Sequence, residues 1–361
     1  MHQIKKSRLA IFASFGLGLG AVGNVAPAAA SNLTINATFD SSITSLSNAS
    51  AIESGIDAAI TNFENDVTTN APVSVSIDFK NVSTGLGASN TPQMDLNYST
   101  YLADLQALPN QTANQISAYA TLPAGPDTGI NNTTQVNLTA ANLAALGDTA
   151  DANSLVSGNG GFNSTVSLNT SIMNISASDT NPNNYALQSV AAHEIDEVLG
   201  IGGNGSQLYQ PGATPPATLP TDIGPLDLYR YSAPGVLSFT YDPTTSAYFS
   251  INGGVTNLVY FNQQNGANGS DFGDWGNPQG TADGNTPPQV QDAIGTPGAP
   301  PITLGPNELT GLNVAGYGLT QAGLLADGLT ASAVPDPANL WLMLSGLLGI
   351  MGFRGRRKIA M

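Results

Sequence analysis

The sequence predicts a mixed fold in which helices cover a β-sheet, and three observations carry that prediction. Apolar residues recur at helical spacing at Ile52, Ile56, Ile60, Phe63 and Val67. Apolar and polar residues alternate from Val73 to Val82, the pattern of a strand with one buried face. Beyond residue 225, short alternating segments are separated by glycine-rich turns, as in antiparallel hairpins.

Each element has a local reason. Ser50-Ala51-Ile52-Glu53 matches a capping box and starts the first helix, expected over residues 51–67, whose apolar stripe needs a sheet to cover. Val73, Val75, Ile77 and Phe79 supply that sheet, extended by Val166, Leu168, Ile172 and Ile175. Residues 98–108 and 139–146 read as short helices. A further helix over 185–199 is closed by Gly200 and followed by a Gly/Pro/Thr-rich loop to Pro225. Strands are then expected at 226–231, 236–241, 248–251 and 258–261, with Asn252-Gly253-Gly254 as a hairpin turn. Residues 277–306 are a Pro/Gly-rich loop, and a short helix is expected at 308–315.

Composition removes several classes of function. The 361 residues include no cysteine, so disulfides, thiolate metal sites and cysteine nucleophiles are excluded. Only 9% of residues are charged, against about a quarter in an average domain, so burial and backbone hydrogen bonds must hold the fold. Between residues 31 and 333 stand 24 acids and two bases, Lys80 and Arg230, a net charge of 2 − 24 = −22. Nucleic acid is excluded as a partner, because neutralising phosphates needs clustered Lys and Arg.

Both ends read as addresses. Lys5, Lys6 and Arg8 precede an apolar run from Leu9 to Val22, and Ala26-Pro27-Ala28-Ala29-Ala30 offers a cleavage site, so residues 1–30 read as a secretory signal peptide. Near the other end, Val334-Pro335-Asp336-Pro337-Ala338 leads into the mostly apolar residues 339–353 and then Arg354-Gly355-Arg356-Arg357-Lys358. That order resembles the PEP-CTERM sorting tail of bacterial exported proteins, with Asp336 where the family usually carries Glu. The resemblance implies processing by an exosortase-type enzyme and transient inner-membrane anchoring through residues 339–353. The destination it implies is the cell surface or the extracellular space.

Removal of the signal peptide takes His2 with it and leaves one imidazole, in Ala192-His193-Glu194-Ile195-Asp196-Glu197-Val198-Leu199-Gly200. On a helix His193 and Glu197 lie one turn apart on one face, so a ring nitrogen and a carboxylate oxygen can converge on one ion. Glu194 sits beside that face, where a carboxylate can take a proton from water. The bland reading of the string is a solvated acidic helix face. Val190, Val198 and Leu199 count against it, because they bring the acids next to a buried stripe.

Val190–Gly200 resembles the active-site helix of the zincin metalloproteases, with Gly200 at the glycine of the metzincin H-E-x-x-H-x-x-G-x-x-H pattern. Together with Pro225–Tyr231, Tyr248-Phe249-Ser250 and Leu312–Tyr317, it resembles a group of PEP-CTERM-tailed, metalloprotease-like exported proteins. The resemblance implies a single large α+β zincin-like domain over residues 31–318: a mixed sheet, a backing helix and a metal-binding active-site helix below the cleft. A linker over 319–333 and the tail over 334–361 follow. Zinc is the implied cofactor and a protein or peptide the implied substrate, hydrolysed by metal-bound water with Glu194 as general base.

The sequence departs from that pattern. Glu197 takes the second histidine position, Gly203 the third, and no methionine lies between Met173 and Met343. A cation held by His193 and Glu197 therefore needs another protein ligand, with Asp227 the first candidate and Asp271 and Asp274 next. One imidazole among carboxylates is a harder donor set than the usual zinc site, which lets manganese and calcium compete. Asp271, Asp274 and Asp283 could alternatively form a calcium loop, although the EF-hand spacing is absent. The acid excess favours basic substrates. The rival function is a non-catalytic surface or matrix protein that keeps a zincin shell and associates with exopolysaccharide. No G-x-S-x-G or Gly-Lys dipeptide occurs, so a nucleophile elbow and a P-loop are excluded. Gly200-x-Gly202-x-x-Gly205 follows a helix instead of opening one, and reads as a cap.

Overall fold

Side-chain alternation sets the main sheet. The computed structural model describes residues 32–130, 132–205, 223–238, 246–263, 271–277 and 284–328. Both terminal address segments, Asp283 and most of the Gly/Pro/Thr-rich loop lie outside these. Leu33–Phe39 (β1) runs parallel to Val73–Asn81 (β2), pairing Leu33 with Val73 through Phe39 with Phe79. Gly87–Asn90 (β3) and Ser164–Leu168 (β4) complete the order β1-β2-β4-β3. β4 is parallel to β2, whereas β3 is antiparallel to β4 and forms the sheet edge. Val73, Val75, Ile77 and Phe79 are all buried while their neighbours are not, so one face of β2 carries the core.

Ala49–Asp66 (α1) turns Ile52, Ile56, Ile60 and Phe63 inward, as the spacing predicts. The expected capping box does not form. The helix starts at Ala49 after Asn48, which makes no side-chain cap, and the Ser50 carbonyl accepts from the Ser54 hydroxyl one turn on. Backbone bonds from Ala51 and Ile52 to the Asn48 carbonyl begin the helix before the box is reached.

Leu187–Val198 (α2) packs on α1 and against β3 and β4. Gly55 permits this approach, because a Cβ there would meet Leu187 Cδ2 at 2.8 Å. The helix is shorter than the expected 185–199, since Tyr185–Ala186 pairs with Met173–Asn174 as a parallel bridge.

The segment expected as a strand over 226–231 is a 3-10 turn at Pro225–Tyr229, followed by a strand at Arg230–Ala233 (β5). Proline at the first position and Asp227 at the third start the turn and override the alternation. With Val236–Leu237 (β6), Tyr248–Phe249 (β7), Val259–Phe261 (β8) and Trp275–Gly276 (β9), β5 builds a second, antiparallel sheet in the order β6-β5-β7-β8-β9. Its inner face is aromatic: Trp275 stacks on Phe249 at 5.7 Å and lies 5.2 Å from Phe261. Pro306–Val314 (α3) closes the domain through Glu308, whose Oε1 accepts from Trp275 Nε1 at 3.0 Å.

The first part of the expected linker is structured. Gly318–Leu319 pairs with Val67–Thr68, and a short helix at Gln321–Ala326 packs on α1. The result is a single α+β domain. Among the described residues no helix is long and apolar enough to cross a membrane.

Candidate metal centre

α2 aims its polar residues into a cleft of about 670 Å³ walled by Leu86, Gly87 and Ser89 on one side and Pro288, Val290 and Ile302 on another. Its C-terminus fixes their direction. The Gly200 and Ile201 amides donate to the Glu197 and Asp196 carbonyls, the bonding pattern of a Schellman cap, with Gly200 at φ +94°. The chain is thereby turned back across Glu197.

His193 Nε2 lies 3.7 Å from Glu197 Oε1 and 3.8 Å from Asp274 Oδ2. One ligand atom from each of the three residues lies within 4.8 Å of the others. The His193 Nδ1–H donates to the Val290 carbonyl at 3.0 Å. A carbonyl can only accept, so Nδ1 carries a proton and Nε2 is the ring atom that faces the carboxylates, the orientation a metal ligand needs. Gln291 Nε2 bridges His193 Nε2 at 3.3 Å and Asp274 Oδ1 at 2.9 Å. The Ser89 hydroxyl, from β3, donates to Glu197 Oε2 at 2.6 Å.

Four acids crowd one imidazole here, and each is displaced from its ordinary pKa. Burial, and then Glu197, hold the Glu194 carboxyl well above the usual carboxylate range. Burial, Asp274 and Asp271 do the same to Glu197. Asp274 is raised by burial, and Asp271 is pushed up to about 7 by burial and Asp274. Burial alone would depress His193, but the facing carboxylates of Asp274 and Glu194 outweigh it and raise it. Crowded carboxylates raise one another in this way when no cation offsets them. Among the described residues no Lys or Arg forms an ion pair with any of the four. The donor set therefore fits a divalent cation.

Asp227, the first candidate for the further ligand, is not part of this group. It does not line the cleft, and its Oδ2 accepts from the Gly224 amide at 2.9 Å, capping its own turn. Asp274 stands in its place, carried by the turn that leads into β9. Arg230 holds that turn: its guanidinium donates to the Phe272 and Asn262 carbonyls at 2.7 and 3.2 Å and stacks 4.3 Å over Phe261. Asn262 then donates from Nδ2 to the Asp271 carbonyl at 2.8 Å. The turn packs directly on the chain after α2, where a Cβ on Gly273 would strike the Gly202 carbonyl oxygen.

Glu194 is 4% exposed, lines the cleft and accepts no hydrogen bond from a described residue. Asp196, fully buried, does not line the cleft, and neither of its oxygens has a hydrogen-bond partner among the described residues. Ser89, Val290 and Gln291 carry no motif and were not legible beforehand. Asp271 and Asp274 stand in the sequence as the second choice of further ligand, because no spacing rule selects among the three aspartates. No family model, curated protein or solved structure matches this chain.

Proposed function

We propose that the protein is an exported, zincin-like metal-dependent peptidase in which His193, Glu197 and Asp274 hold a divalent cation. The observation that carries this reading is the convergence of His193 Nε2, its proton committed to Val290 through Nδ1, with two buried carboxylates within 4.8 Å. The mixed sheet packed on α2, with α1 behind it, supports the zincin-like reading. When bound, such a cation polarises a carbonyl and makes water more acidic. Zinc is the ion that the resemblance implies, and the carboxylate-rich set also suits manganese or calcium.

The chain's own residues do the rest. β3 stands at the end of the described strand order and lines the cleft, which would place an extended peptide alongside it. Glu194, raised by burial, holds or releases a proton at its carboxylate beside that strand. Leu86, Val190 and Ile302 form an apolar wall of the same space. Export through residues 1–30, and exosortase processing of residues 334–361 with anchoring through 339–353, complete the reading.

Metal analysis of the purified protein beside His193→Ala and Glu197→Ala tests it. Stoichiometric cation in the parent, lost in both variants, is the expected result, and none in the parent overturns it. Peptide hydrolysis abolished by Glu194→Gln is expected to follow. Bound cation without turnover would identify the non-catalytic surface protein instead.

A further inference from the structure

We infer that Asp271 is an additional ligand of the same cation, filling the space that a side chain at position 203 would occupy, and that it biases the site toward manganese(II). The inference rests on the metal-centre reading above. A Cβ built on Gly203 would lie 2.4 Å from Asp271 Oδ2 and 2.4 Å from Glu197 Oε1. Position 203 therefore points straight at the gap between two carboxylates. A side chain there would displace both, and glycine leaves the gap to them.

Asp271 lies outside the three-residue group, across the Gly203 position from Glu197, and lines the same cleft. Its carboxylate is partly buried and accepts no hydrogen bond from a described residue. Its backbone is committed: the amide donates to Asp274 Oδ2 at 3.3 Å and the carbonyl accepts from Asn262. The two aspartates are thus carried on one short, clamped turn. Glu194, more than nine-tenths buried, is a further carboxylate on the wall of the same space, with no hydrogen-bond donor among the described residues. The His193 lone pair adds a nitrogen donor to these oxygens.

Three carboxylates and one imidazole form an oxygen-dominated set. Zinc favours four ligands rich in nitrogen or sulfur, whereas manganese(II) accepts more oxygen donors in an expanded shell. Zinc still binds most sites more tightly in absolute terms. The signature of Asp271 is therefore a ratio: removing it weakens manganese more than zinc.

The test is a chelator-competition titration of the purified full chain with Mn2+ and with Zn2+, comparing the parent with Asp271→Asn, Gly203→Ala and Asp274→Asn. Asp271→Asn is expected to weaken Mn2+ about tenfold or more while zinc changes much less. Gly203→Ala, which puts a methyl in the same gap, is expected to shift the ratio in the same direction. Equal weakening of both ions, or no change, in Asp271→Asn overturns the inference. If Asp271→Asn fails to fold by circular dichroism, an unchanged ratio in Gly203→Ala overturns it. The two readings separate cleanly: a parent that binds neither ion sinks the metal centre itself. A parent whose binding is lost in Asp274→Asn but untouched in Asp271→Asn sinks only the role of Asp271.

Discussion

His193 Nε2 and Asp274 Oδ2 lie 3.8 Å apart, although the whole Gly/Pro/Thr-rich loop and most of the second sheet separate them in the chain. If that pair belongs to one ion site, Asp274→Ala must remove the cation as completely as His193→Ala does. Asp227→Ala should leave the metal content unchanged, because its carboxylate caps its own turn. Metal analysis of the three variants checks both statements, and retained cation in Asp274→Ala would contradict the site.

Gly87 sits against the proposed base. A Cβ at this position would lie 2.3 Å from Glu194 Oε1 and 2.8 Å from Val190 Cγ1. Gly87→Ala is expected to push Glu194 aside and lower peptide turnover by at least about tenfold, since small misplacements at a reacting centre are costly. Cation content should stay at the parent level. Loss of both together would mean that the substitution disturbs the helix and not the base alone.

Arg230 is fully buried, and its removal deletes two charged hydrogen bonds. Arg230→Met loses the bonds to the Phe272 and Asn262 carbonyls and the cation over the Phe261 ring. Hydrogen bonds to a charged group contribute about 1.5–3 kcal/mol each, so urea denaturation should show a loss of at least about 2 kcal/mol. Cation affinity should fall as well, because the clamped turn carries Asp271 and Asp274. Unchanged affinity would show that the turn is held without Arg230.

Asp327 gives a pH signature away from the cleft. It accepts from Thr310 Oγ1 and from Asn114 Nδ2, yet burial pushes its carboxyl up to about 6 from the ordinary 3.8. A carboxyl whose folded pKa exceeds its unfolded value favours the fold while protonated, and that contribution is lost as pH rises through the folded value. Thermal unfolding scans between pH 4 and 7 should therefore show a steeper fall of Tm in the parent than in Asp327→Asn. Parallel curves would rule out this contribution.

Local rules suffice to place several elements. The stripe from Ile52 to Phe63, the alternation from Val73 to Phe79 and the glycine cap of α2 all stand where spacing puts them, because each depends only on neighbours within a turn or a pleat. The misreadings have local causes too. Gly224-Pro225-Leu226-Asp227 starts a 3-10 turn where alternation suggested a strand. The first strand, Leu33–Phe39, was not anticipated, and its partner is β2, beyond α1 in the chain.

His193, Glu194 and Glu197 were readable as a group because the helical repeat alone puts them side by side. No comparable rule connects Asp274 to them. Its position depends on the Arg230 clamp, the Asn262 bonds and the near-contact of Gly273 with Gly202, all of which exist only once the turn before β9 meets the chain after α2. Periodicity reaches a few residues along a chain. Which distant carboxylate meets the imidazole is a matter of packing, and Asp274 holds that place while Asp227, equally acidic, is bonded to its own backbone.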